Sequence, residues 1–225
     1  MKTCVFLDLD GTVLDFSASE YRAFLHTMQD FGIAANETLF ARYHDINAAL
    51  WAALERGEVT GEILRPLRFQ RLLDSAVTLD WNAVNETYVS HLAQAGIPFP
   101  GALAFVKALH EQMRVVVLTN GIRHSQQSRL EKSGLAPFVD FMVTSEEAGA
   151  PKPAPKMFEM AMKRLDDWDK THYIMIGDSP TADIAGAAQA GIESIFYTGG
   201  KPLTCPAATY TAKTYKEMIE RLQKA

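Results

Sequence analysis

Five short apolar runs, set apart by helical patterns, constrain the fold of this chain more than any other feature. They are Cys4–Leu7, Val115–Leu118, Phe141–Val143, Tyr173–Ile176 and Ser194–Tyr197. Several are rich in β-branched residues, so they read as buried strands. Between them, Gly101–Gln112 carries Leu103, Val106 and Leu109 on one side. Further helical patterns cover Ser125–Lys132, Lys156–Leu165, Thr181–Ala190 and Tyr215–Gln223. Strands that alternate with helices predict a parallel sheet covered on both faces, a doubly wound, Rossmann-like α/β fold.

The interval between the first two strand runs breaks that rhythm. It shows no strand signal and four amphipathic helical patterns instead. Tyr21, Phe24, Leu25, Met28 and Phe31 follow helical spacing, as do Leu39, Phe40, Tyr43, Ile46, Leu50, Trp51 and Leu54. A third pattern runs from Thr60 to Leu73, with Pro66 expected near its first turns or at a kink. The fourth carries Trp81, Val84, Tyr88 and Leu92, with Asp80 placed as its N-cap. Four such helices can bury their apolar stripes against one another as a small bundle. Pro98-Phe99-Pro100-Gly101 marks the return to the sheet. The expected organisation is a sheet domain from residues 1–14 and 98–225, with a helical domain inserted at 15–97.

Composition narrows the function. The chain has 225 residues, 48% hydrophobic and 22% charged, with a net charge of −5 and no Lys/Arg-rich run. A nucleic-acid polymer is therefore not the expected partner. No apolar run approaches the roughly 20 residues of a membrane span. The first residues meet charge too early for a signal peptide. Cys4 and Cys205 are far apart and give no disulfide framework, so a reducing cytoplasm is the expected compartment.

Four polar signatures sit where strands end. Asp8-Leu9-Asp10-Gly11-Thr12 follows the first strand, Thr119-Asn120-Gly121 the second and Gly177-Asp178 the fourth, while Lys152 comes shortly after the third. In open α/β sheets, ligands bind beyond the carboxyl ends of the strands. Each signature alone is also an ordinary turn or surface loop; together they converge on one edge. Asp8, Asp10 and Asp178 would crowd there, and two carboxylates about 4 Å apart repel by ~4 kcal/mol at an effective dielectric of about 20. Such a cluster must hold protons or bind a cation. Oxygen ligands without paired His or Cys favour magnesium over zinc.

The same residues supply a reaction. An aspartate can attack phosphorus and form an acyl phosphate that water later hydrolyses. A second carboxylate then protonates the leaving oxygen and deprotonates the water. Residues two apart in a strand point to one side, so Asp8 can serve as nucleophile and Asp10 as proton-transfer group. The Thr119 hydroxyl, the Asn120 backbone amide and Lys152 would hold the phosphoryl oxygens, together with the metal.

These segments resemble the four motifs of the haloacid dehalogenase-like hydrolase superfamily. Phe6 to Leu14 is similar to the first motif, Thr119-Asn120-Gly121 to the second, Lys152-Pro153 to the third and Gly177 to Asp183 to the fourth. The helical insertion also falls where that superfamily carries its helical cap. The resemblance implies a magnesium ion held by Asp8, the Asp10 backbone carbonyl and Asp178, with Asp183 steadying the lysine or a metal-bound water. It also implies that the cap turn Arg56-Gly57-Glu58 dips towards the substrate, although that segment reads equally as a plain interhelical turn. An aspartate at position 10 favours phosphoryl transfer over dehalogenation, and a sugar-phosphate mutase would share it; a non-catalytic binding protein on the same fold is disfavoured, because no catalytic position is replaced.

A narrower resemblance is carried by Leu50-Trp51, Gly57-Glu58-Val59-Thr60, Arg68-Phe69, the run from Thr119-Asn120-Gly121 into Gln126-Gln127-Ser128-Arg129-Leu130-Glu131, and Ser145 to Gly149. These stretches are similar to bacterial house-cleaning pyrimidine 5′-nucleotidases. They imply a pyrimidine nucleoside monophosphate as substrate, with another small phosphorylated metabolite such as a sugar phosphate as the alternative. The expected assembly is a monomer or small homo-oligomer. Tyr43, Trp51 and Phe69 read as bundle core before base-stacking platform.

Overall fold

A computed structural model describes residues 2–73 and 78–224. The chain divides into two compact units, residues 1–16 with 96–225, and residues 17–95. The first unit is built on six strands: β1 (Cys4–Leu7), β2 (Arg114–Thr119), β3 (Phe141–Thr144), β4 (Tyr173–Gly177), β5 (Glu193–Tyr197) and β6 (Tyr210–Ala212). Their order is β3-β2-β1-β4-β5-β6, and every pair is parallel. The order reverses between β1 and β4, which makes a crevice at the carboxyl ends of those strands.

Strand alternation sorts the core into two layers. Val5, Leu7, Val115, Val117, Ile174 and Ile176 face one side, packed with α5 (Ala102–His110) and α10 (Tyr215–Leu222). Cys4, Phe6, Val116, Leu118, Tyr173 and Met175 face the other, against α8 (Lys156–Leu165) and α9 (Ala185–Ala190). Both faces are dry, which is why the strands read as continuous apolar runs. β6 escapes the sequence reading because Tyr-Thr-Ala carries no apolar run; pairing with β5 makes it a strand. The helix expected over Thr181–Ala190 is divided. Pro180–Ile184 forms a wide π-helical turn in which Ile184 N donates to Ser179 O at 3.1 Å, and α9 follows.

The second unit holds four helices, α1 (Phe16–Asp30, entering from the sheet unit), α2 (Glu37–Glu55), α3 (Gly61–Leu73) and α4 (Trp81–Ala93). Asn36 caps α2 through Leu39 N at 2.9 Å, and Asp80 caps α4 as its sequence position predicts. Pro66 sits in the second turn of α3. Phe24, Tyr43, Phe69 and Tyr88 are fully buried, and Tyr43 stacks on Phe24 and Phe69 with ring centres 4.8 and 5.3 Å away. Tyr43 and Phe69 are therefore core. Trp51 packs half-buried against Leu50, Leu54 and Leu64. No described helix is long and apolar enough to cross a membrane.

Candidate active site

The site forms where β1, β2 and β4 end. Asp8 N donates to Ile176 O at 2.9 Å, so the residue stays tied to the sheet one step beyond β1. Lys152 arrives on the loop before α8, and Asn120 grips its main chain from both sides. Asn120 Oδ1 accepts from Lys152 N at 2.7 Å, and its Nδ2 donates to Lys152 O at 3.1 Å. The buried Lys152 ammonium then spends its three donors on Asp8 Oδ1 at 2.6 Å, Leu118 O at 2.7 Å and Asp183 Oδ1 at 2.7 Å. The other Asp183 oxygen accepts from Ser179 N at 3.0 Å, so the π-helical turn aims Asp183 and satisfies it.

Asp178 follows β4. A β-carbon at Gly11, whose φ is +86°, would collide with the Asp178 carboxylate, so only a bare backbone fits there. One oxygen each from Asp8, Asp178 and Asp183 lies within 4.8 Å of the others. Three carboxylates thus face one ammonium. Burial pushes the Asp178 carboxyl up to about 7, helped by the Asp183 charge. Burial also raises Asp8 well above the carboxylate range against the pull of Lys152, with Asp183 and Asp178 adding to the rise. Burial disfavours the Lys152 ammonium, but Asp183 and Asp8 more than offset this and hold its pKa above the ordinary lysine value. A hard divalent cation fits this group: every donor is oxygen, and negative charge is in excess.

Asp10 lies in a different setting from the one strand alternation predicts. β1 has ended at Leu7, and Asp10 sits in a turn that pairs it with Leu14. Its carboxylate meets Arg129 Nη1 at 2.6 Å through Oδ1 and Gln126 Nε2 at 2.7 Å through Oδ2. The turn is held from behind by Tyr215, whose hydroxyl donates to Thr12 O at 2.8 Å. Thr119 is buried at the end of β2, and its Oγ1 accepts from Gly121 N at 3.1 Å and Gln126 Nε2 at 2.7 Å.

The structure thus brings Asp8, Lys152 and Asp183 into direct contact, with Asp178 beside them. Gln126 carries a link between Asp10 and Thr119. Sequence reasoning gave Gln126, Arg129 and Tyr215 no role in the site. The available signal was the three-residue spacing of Gln126 and Arg129 on α6 (Arg123–Lys132). In the helical unit, Arg56 and Glu58 flank Gly57 and pair with each other, Nε to Oε1 at 2.6 Å and Nη2 to Oε2 at 2.8 Å. That pair lowers the Glu58 carboxyl pKa and raises the Arg56 guanidinium pKa.

Comparison with known proteins agrees with this geometry. A family model described as haloacid dehalogenase-like hydrolase matches residues 2–191. The chain belongs to that family, and it is an enzyme with phosphatase activity. The HAD-hydrolase YfnB of Bacillus subtilis is 34% identical over 98% of this chain and 95% of its own. Its magnesium-bound crystal structure matches with a TM-score of 0.91 over 99% of both chains, at 30% identity. Pyrimidine 5′-nucleotidase PynA of Streptococcus pneumoniae is 32% identical over 98% of this chain and 94% of its own. Pyrimidine 5′-nucleotidase YjjG of Escherichia coli is 29% identical over 84% of this chain and 82% of its own. Family membership and the carboxylate group together make a divalent metal the cofactor.

Proposed function

We propose that the protein hydrolyses pyrimidine nucleoside 5′-monophosphates with magnesium, through a phosphoryl group carried briefly on Asp8. The observation that carries the chemistry is the Lys152 ammonium set between Asp8 and Asp183, 2.6 and 2.7 Å away, amid excess negative charge. The substrate reading is supported by the two nucleotidase relatives and by the resemblance carried by Gly57-Glu58-Val59-Thr60 and Arg68-Phe69.

In this reading Asp8, the Asp10 backbone carbonyl and Asp178 would hold magnesium, which when bound neutralises charge on the phosphoryl oxygens. An Asp8 oxygen attacks phosphorus, the bond to the leaving oxygen breaks, and the Asp10 carboxyl donates its proton to that oxygen. Asp10, now a carboxylate, takes a proton from water as the water oxygen attacks phosphorus. The bond from phosphorus to Asp8 breaks, and inorganic phosphate leaves with Asp8 and Asp10 restored. The Thr119 hydroxyl, the Asn120 backbone amide and Lys152, which gives up its bond to Asp8 as the phosphoryl group arrives, hold the phosphoryl oxygens. Asp183 keeps Lys152 aimed. Residues 15–97 act as the cap, and the Arg56-Gly57-Glu58 turn contacts the substrate.

The test is a screen of nucleoside monophosphates and sugar phosphates with magnesium. The expected result is highest kcat/KM on uridine or thymidine 5′-monophosphate. Preference for sugar phosphates would overturn the substrate assignment, and failure to turn over any phosphomonoester would overturn the chemistry.

A further inference from the structure

We propose that Arg129 and Gln126 form a clamp that positions the Asp10 carboxylate for proton transfer. This rests on the reading of Asp10 given under Proposed function. Both residues lie on one face of α6, three positions apart, and they are 0% and 2% exposed. A buried guanidinium is costly unless its donors are used. Arg129 Nη1 reaches both Asp10 Oδ1, at 2.6 Å, and Gln126 Oε1, at 2.8 Å. Its Cζ lies 5.7 Å from the Phe16 ring centre.

The Gln126 amide is occupied at both ends, which fixes its orientation. Its oxygen accepts from Arg129, while Nε2 donates to Asp10 Oδ2 and to Thr119 Oγ1, each at 2.7 Å. The two Asp10 oxygens therefore have separate partners, an ion pair with Arg129 at Oδ1 and the Gln126 amide at Oδ2, and Gln126 also reaches the threonine placed on the phosphate. Gly121 makes the space, because a β-carbon there would collide with the Gln126 amide.

An apolar pair at positions 126 and 129 would fill α6 without any desolvation cost, so packing alone does not account for them. Position is what proton transfer needs: the donor must stand within hydrogen-bond reach of the departing oxygen, and small displacements are expensive. Arg129 and Gln126 act through Asp10 and are positioning residues.

The test compares leaving groups in the full chain with magnesium. Thymidine 5′-monophosphate and ribose 5-phosphate leave as alkoxides and need a proton; 4-nitrophenyl phosphate leaves as a stable phenolate and does not. In Arg129→Met and Gln126→Met, kcat/KM for the alkyl phosphates should fall by roughly 10²-fold. The value for 4-nitrophenyl phosphate should stay within a few-fold, with inhibition by inorganic phosphate unchanged in Arg129→Met. Arg129→Lys, which keeps the charge but loses the fork, should recover part of the loss.

An equal fall on all substrates, or no fall, overturns the clamp. Should Arg129→Met fail to fold, Gln126→Met and Gly121→Ala, which crowds the Gln126 amide, carry the same expectation. Asp10→Asn separates the two levels. If it shows no dependence on the leaving group, the reading of Asp10 itself fails. If it shows that dependence and the clamp variants do not, only the clamp fails.

Discussion

Both compact units bury charged side chains, but only the sheet unit leaves them unbalanced. In the helical unit Glu20 and Arg68 are buried, one of each sign. Asn47 joins them, donating to Glu20 Oε1 at 2.7 Å and accepting from Arg68 Nη1 at 3.2 Å. His44 meets the other Glu20 oxygen at 2.8 Å. Arg68 Nη2 donates to Asn85 at 2.8 Å, and its Cζ lies 4.5 Å from the Tyr88 ring centre. Residues from each of α1 to α4 take part, so the network ties the bundle together and asks for no ligand. Beside Lys152, by contrast, three carboxylates share one cation. Balanced burial builds a scaffold, whereas excess charge of one sign creates a demand that a metal ion meets.

The largest effect should come from removing charge at the unbalanced site. Asp8→Asn is expected to cut turnover by roughly 10⁴-fold or more, while the Tm of the metal-free protein does not fall, because one of three crowded carboxylates has gone. A steady-state assay beside a melting curve checks both halves; a clear drop in Tm would break the contrast between the units.

The same kind of change in the balanced network should do the opposite to stability. Arg68→Met leaves Asn47 and Asn85 without their shared donor and should cost about 3 kcal/mol, or roughly 5–10 °C in Tm. Melting with an unchanged midpoint would show that the network is idle.

Magnesium should act on the sheet unit in a pH-dependent way. Burial, with the Asp183 charge, lifts Asp178 from the usual 3.8 to about 7 in the metal-free protein. Between those values the folded chain holds a proton that the unfolded chain has released. Metal-free stability therefore declines as pH rises from about 4 to about 7. A cation needs the ionised carboxylate, so its stabilisation grows over the same interval. At about 100-fold excess over Kd it should reach about 3 kcal/mol near pH 8 and clearly less near pH 5.5. Equal magnesium-induced shifts in Tm at both pH values would exclude the mechanism.

The smallest effect belongs to an exposed pair. Arg56→Ala removes a bidentate contact between side chains that are 57% and 55% exposed, where solvent screens the attraction. No measurable change in Tm is expected. A modest rise in KM at constant kcat would mark the turn as a substrate contact, and an unchanged KM would remove it from the site.

Legibility in the sequence followed the range of the interactions. β1 to β5 were readable because strands buried on both faces must be apolar throughout. β6 was not, since its three residues become a strand only by pairing with β5. Asp80 was readable as a cap because the bond it makes spans two residues. The clamp was opaque. Arg123–Lys132 is polar almost throughout, and the three-residue spacing of Gln126 and Arg129 puts them on one face without saying that this face is turned inward.

Local order along the chain therefore determined by itself the alternation of strands and helices and the clustering of polar signatures at strand ends. Periodicity and turn chemistry act over a few residues and can be read there. Tertiary structure alone decided which carboxylate meets which cation. Lys152 reaches Asp8 across 144 positions and Gln126 reaches Asp10 across 116. Such pairings depend on strand order and register in the folded sheet, which bring distant segments to one edge.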